Sequence, residues 1–195
     1  MIGTAMIRSA MLPLAVLLAA APAAAAPPEG WIAAGMAPRD YDMGIDRTVL
    51  HEGKKSAFLR AKTERPAGFG TLMQMFKADQ YRGKRVRLTA FVRADRVAEW
   101  AGLWMRIDGK GDAPLAFDNM QNRPIKGTRS FSRHDVVLDV ARDASAIAFG
   151  ILLDGAGGVW MSGLRLEVVD ASVPTTDLLG AGQKGDGPKN LDFDR

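Results

Sequence analysis

Cysteine is absent from the 195 residues, and histidine and tyrosine occur only twice each. Without a thiol the chain has no disulfide framework, no lipid-bearing cysteine, no thiolate metal site and no cysteine nucleophile. The two histidines, His51 and His134, each lie beside an acid, and neither has metal-ligand spacing to another ligand. No G-x-S-x-G elbow is present, and no segment sustains a helical period. Charge of one sign is also scarce: 26 Lys and Arg stand against 22 Asp and Glu, a formal +4 spread along the chain rather than blocked. That is weak electrostatics for a polyanion, so no nucleic-acid partner is expected.

What is present begins with the first residues. One cation, Arg8, is followed by an apolar run and an alanine string containing A-x-A sites. The pattern predicts a secretory signal peptide over 1–25, cut after Ala25 with Ala23 at the other small position. A periplasmic or secreted protein is the expectation. The apolar run is too short and too alanine-rich for a membrane span, so no membrane association is expected after cleavage.

The remaining chain is long enough for one domain with a core of its own. Lys55 to Lys62 alternates apolar and polar positions after the turn His51-Glu52-Gly53, and Phe69 to Lys77 follows the break Pro66-Ala67-Gly68. Lys84 to Arg93 alternates most cleanly, with Val86, Leu88, Ala90 and Val92 in one row and arginines in the other. Arg96 to Glu99 is read as a short helical turn. It leads into a central hairpin of Ala101 to Asp108 and Leu115 to Met120, closed at Gly109 to Pro114. A loop is expected over Asn122 to Ser130, then strands over His134 to Val140, Ile147 to Leu153 and Val159 to Val169. Before these, Glu29 to Asp46 reads as an irregular lead-in with one short strand around Tyr41 to Ile45. Some eight short strands with Gly-, Pro- and Asp-rich turns predict an all-β sandwich of jelly-roll type over 29–170. A flexible tail is expected over 171–195, in which Leu191 to Asp194 alternates and is a candidate sheet-edge piece.

Gly157-Gly158-Val159-Trp160-Met161 through Leu164-Arg165-Leu166-Glu167 resembles the closing strand of galactose-binding-like and family-4/9/22-type carbohydrate-binding jelly rolls. The resemblance extends over roughly Trp31 to Asp170 in strand order and implies a saccharide-binding face. Ser162-Gly163 stands where such modules often carry two acids, and neither residue offers a carboxylate to calcium. No metal site and no cofactor are therefore assigned. Phe69 to Leu88 and Trp100 to Thr128 are also similar to a group of bacterial domains of unassigned role, some attached to regulators and some standing alone behind a signal peptide. That similarity implies no activity.

The candidate site centres on Trp104. Period two places Gly102, Trp104, Arg106 and Asp108 on one face and Leu103, Met105 and Ile107 on the core face. An indole stacks on the apolar face of a sugar ring, while amides and charged groups beside it fix hydroxyls. Gln74, Arg106, Asp118, Asn119 and Arg123 are the polar partners proposed for Trp104, with both arginines suited to bidentate contact. Each has a competing reading: the N-terminal segment covers Trp104, and Asp118 and Asn119 cap their own loop. The expected function is non-catalytic binding of a carbohydrate or related polar small molecule. One alternative is a small periplasmic hydrolase or lyase using Asp108 and Asp118 as the acid–base pair. The other is a structural or protein-binding accessory domain. Methionine, ten in number, is read as core filler.

Overall fold

A computed structural model describes residues 26–180. The expected leader, and the edge piece at Leu191 to Asp194, lie outside the described residues. The strands are β1 (Ile32–Gly35), β2 (Tyr41–His51), β3 (Lys54–Ala61), β4 (Gly70–Lys77), β5 (Arg85–Asp108), β6 (Pro114–Asp118), β7 (Ile125–Asp139), β8 (Ala146–Asp154) and β9 (Gly158–Val169). Helical structure among the described residues is confined to single 3-10 turns at Pro38–Asp40 and Lys110–Asp112.

Every pairing is antiparallel, and the path runs β1-β4-β8-β5-β9-β3-β2, with β6 and β7 also pairing to β5. The 24 residues of β5 belong to two layers. Its first part, from Arg85 to Asp95, lies between β9 and β7; its second, from Trp100 to Asp108, pairs with β8, and with β6 from Met105 onward. Between them the register to β7 slips three times and Arg96 takes a left-handed φ of 49°. These irregularities are bulges, which bend a strand and allow it to turn a corner. The turn after β8 seals that corner from outside. A Cβ on Gly157, at φ 108°, would stand 2.4 Å from the Arg96 carbonyl, so only glycine fits.

The bend folds one hydrogen-bonded sheet into a sandwich. Val86, Leu88, Ala90 and Val92 from the first part of β5 pack in one buried cluster with Leu103, Met105 and Ile107 from the second. The all-β jelly-roll expectation is met. Three local expectations are corrected. Arg96 to Glu99 is bulged strand rather than helix. β7 starts at Ile125, inside the expected loop; Lys126 to Ser130 are exposed on both faces and leave no alternation to read. The lead-in contains β1, and β2 runs on to His51.

The expected tail is also anchored over its first part. Arg85 Nη1 donates to the carbonyls of Ala171 and Val173. Thr176 exchanges hydrogen bonds with Val137 on β7, and Leu178 N–H donates to the Phe117 carbonyl on β6. Residues 171–178 thus strap the open edges of both layers, an edge-covering device.

Candidate functional site

The outer face of the second layer carries the groove. Trp104 on β5 lies opposite Gly150 on β8, which lies opposite Met73 on β4. The indole reaches over β8, and its Nε1 donates to Thr71 Oγ1 at 2.7 Å. That hydroxyl donates in turn to the Ile151 carbonyl at 2.8 Å. Phe69, Met73, Phe117 and Leu152 pack around Trp104, and Ala34 to Met36 form one wall. The resulting groove has a volume of about 390 Å³, with Arg106 and Asn119 as its other polar lining. Trp104 is 7% exposed, so it forms a floor rather than a projecting platform.

Arg106 stands on the same face, its side chain 39% exposed, and holds the Asp108 carboxylate with Nε at 2.6 Å and Nη2 at 3.0 Å. Asp108 is only 1% exposed. The bond to Asp108 raises the guanidinium's pKa, partly offset by burial, and the charges of Asp108 and Asp112 add to the rise.

Asp118 points the other way. It pairs in register with Met105 on the core face, whereas Phe117 pairs with Arg106 on the groove face. Fully buried, Asp118 accepts from Arg123 Nη2 at 2.5 Å and Nη1 at 3.1 Å and from the Met120 N–H at 2.8 Å. Arg123 Nη2 also donates to the Asp135 carbonyl on β7. This is a loop-fixing knot. The acid–base pairing of Asp108 and Asp118 is therefore corrected: the two lie on opposite faces of the layer, each taken up by an arginine.

Gln74 is corrected likewise. On β4 the groove row is Thr71 and Met73; Gln74 pairs with Phe149 and faces Gly30. Arg123 braces the loop and does not line the groove. Asn119 does, and its Oδ1 accepts from the Gln121 N–H at 3.1 Å. The Asn119 carbonyl lies over Gly102, where a Cβ would come within 2.5 Å of it. Of the six residues read from the sequence, Trp104, Arg106 and Asn119 come together. Thr71, Met73, Phe69, Phe117 and Leu152 were missed. For Phe69, Thr71 and Met73 the signal existed in the stretch FGTLMQMFK, whose two rows both carry apolar residues, but choosing the row required the β4–β8–β5 register.

The first layer's outer face holds further aromatic and titratable groups. Trp160, from the resemblance motif, donates to Asp46 Oδ2 at 2.9 Å and carries the Arg93 guanidinium 5.4 Å from its ring. Burial pushes the Asp46 carboxyl up, but bonds from Val49, Thr48 and Trp160 outweigh it and hold its pKa well below the usual range. The His51 ring stacks between Phe91 at 4.3 Å and Phe131 at 4.8 Å, and its Nε2 has no hydrogen-bond partner among the described residues. Among the described residues no three His, Asp or Glu side chains converge as metal ligands.

No protein-family model matches the sequence. Over 167 residues, 85% of its length, the chain is 46% identical to the uncharacterized HTH-type transcriptional regulator YbfP of Bacillus subtilis strain 168. It spans 57% of that regulator's length. Among solved structures it resembles the CBM22-1 xylan-binding domain of Paenibacillus barcinonensis Xyn10C, with a TM-score of 0.52 and 12% identity over 76% of this chain and 91% of that one. The enzymatically active domain of bacteriophage CBA120 tailspike protein 4 gives 0.56 and 11%, over 72% of this chain and 20% of that one. The Stig cyclase Fisc of Fischerella sp. TAU, in complex with a pyrrolidinylidene-indole compound, gives 0.51 and 17%, over 73% and 86%. At these identities the likeness is one of fold: the described residues form a β-sandwich like that of the xylan-binding domain.

Proposed function

We propose that the described domain is a non-catalytic binding domain whose ligand, a carbohydrate or related small ring compound, sits in the Trp104 groove. One observation carries this reading. The groove is floored by an indole whose N–H is held by Thr71, with Arg106 and Asn119 beside it, while the carboxylates an acid–base enzyme would use are buried against arginines. The fold likeness to a xylan-binding domain supports the saccharide side of the reading; the complex of the similar cyclase with a pyrrolidinylidene-indole compound supports the small-ring side. In the exported form of this reading, residues 1–25 act as a cleaved leader, which N-terminal sequencing of the protein from cell fractions tests.

The similarity to the regulator favours a second role for the same groove. A helix-turn-helix needs two α-helices, and the described residues hold none. In that role the shared segment is the part of the regulator that senses a small molecule rather than the part that holds DNA.

A thermal-shift panel of mono-, oligo- and acidic saccharides and neutral ring compounds tests the proposal. A ligand of the folded state raises the melting temperature in step with its concentration over Kd. The rise should vanish in Met73→Trp, which fills the groove. Silence across the panel would overturn the binding reading.

A further inference from the structure

Resting on the binding reading above, we infer that the groove takes an uncharged ring compound with a mostly apolar surface, offering one acceptor oxygen to Arg106. The inventory of polar atoms leads there. Trp104 Nε1 and the Thr71 hydroxyl are spent on each other and on Ile151. Arg106 has committed Nε and Nη2 to Asp108, and Nη1 has no partner among the described residues. The Asn119 oxygen is engaged by the Gln121 N–H, and its Nδ2 lies 3.5 Å from Gln121 Oε1. The outward donor is therefore Arg106, with the Asn119 amide as a minor second.

A pyranose brings a hydroxyl on nearly every ring carbon, and each hydroxyl buried without a partner keeps its full desolvation penalty. Phe69, Met73, Phe117 and Leu152 offer such hydroxyls nothing. They offer an apolar ring dispersion contacts, and Met36 and Met73 are pliable enough to close on one. The volume of about 390 Å³ sits at the small end of ligand sites and suits one compact ring system rather than a polymer chain.

Neutrality follows from charge. Arg106 is the charged side chain lining the groove, and the buried Asp108 carboxylate cancels it at 2.6 Å, with Asp112 acting in the same direction. A carboxylate ligand would find no uncompensated positive charge. A cationic ligand would meet the guanidinium itself. A carbonyl, ether or hydroxyl oxygen needs only the donor.

The test uses the full chain and calorimetric titration with one ring in three charge states: naphthaleneacetamide, naphthaleneacetate and naphthylmethylamine, beside xylotriose. The amide is expected to bind at least tenfold more tightly than either charged probe and more tightly than xylotriose. Replacing the ion pair together, Arg106→Met with Asp108→Leu, removes the donor without stranding a charge and should abolish the amide's advantage over naphthalene itself. Met73→Trp should abolish binding of all four. Tightest binding by naphthaleneacetate would overturn neutrality, and tightest binding by xylotriose would overturn the apolar class; either leaves the binding reading standing. If neither these probes nor any saccharide binds, the binding reading fails, and this inference with it.

Discussion

Trp104 donates its indole N–H to Thr71 Oγ1 across 2.7 Å, bridging from β5 to β4 over the intervening β8. One hydroxyl thereby fixes the aromatic floor of the groove and ties three strands on their outer side.

Thr71→Val keeps the shape and removes both the acceptor for Trp104 and the donor to Ile151. A buried indole N–H left unpaired costs about 1–3 kcal/mol. Urea unfolding should show that loss with an unchanged m-value, and Thr71→Ser should restore most of it.

Gly102→Ala should act on the site through the loop. Its Cβ would lie 2.5 Å from the Asn119 carbonyl, so the loop must shift, at roughly 1–3 kcal/mol. Groove ligands should weaken, and the Asn119 and Met120 amide resonances should move.

Asp118→Asn tests the structural assignment of that carboxylate. It leaves the Arg123 guanidinium, 34% exposed, without its counter-charge. A loss of roughly 2–3 kcal/mol is expected, below the fully buried range because water still reaches the arginine. A variant with wild-type stability would show that Asp118 is not the brace described.

His134 sets a pH dependence. Burial lowers its pKa from the ordinary 6.5, and the nearby positive charges of Arg123 and Arg129 act the same way against Asp135. The unfolded chain therefore takes up the proton first as pH falls. Its contribution to stability is complete above about pH 6.5 and is lost progressively below it, down to the depressed folded value. The melting temperature of the wild type should drop between about pH 7 and pH 5 by more than that of His134→Gln, a window above most carboxylate titration.

Asp177→Ala should loosen the strap. The Asp177 carboxylate accepts from the Phe117 N–H at 3.0 Å, and Phe117 lines the groove. A loss of about 1 kcal/mol is expected. Faster amide exchange at Phe117 and earlier proteolytic cleavage after residue 170 would report it.

The second half of β5 was legible because its period two separates Trp104 and Arg106 from Leu103, Met105 and Ile107, and a strand's pleat alone decides that. Asp118 and Gln74 were not legible as to face. Each sits on a strand whose parity relative to β5 depends on register, a non-local quantity. The corner at Arg96 was hidden for another reason: a bulge leaves no periodic trace, and a polar stretch before an aromatic reads equally well as a turn. In the strap, Pro174 and the threonines resemble disorder by composition, yet Thr176 and Asp177 find backbone partners on β7 and β6.

β5 has one further consequence, for the order in which the molecule is made. Its hydrogen-bonding partners β6, β7, β8 and β9 all follow it in the chain. The second part of β5 has its partners once β8 is made, but the first part keeps one backbone edge open until β9 is complete at Val169. Closing the first layer therefore waits on the last strand and a long-range pairing, a slow regime in which that edge is exposed to its own kind.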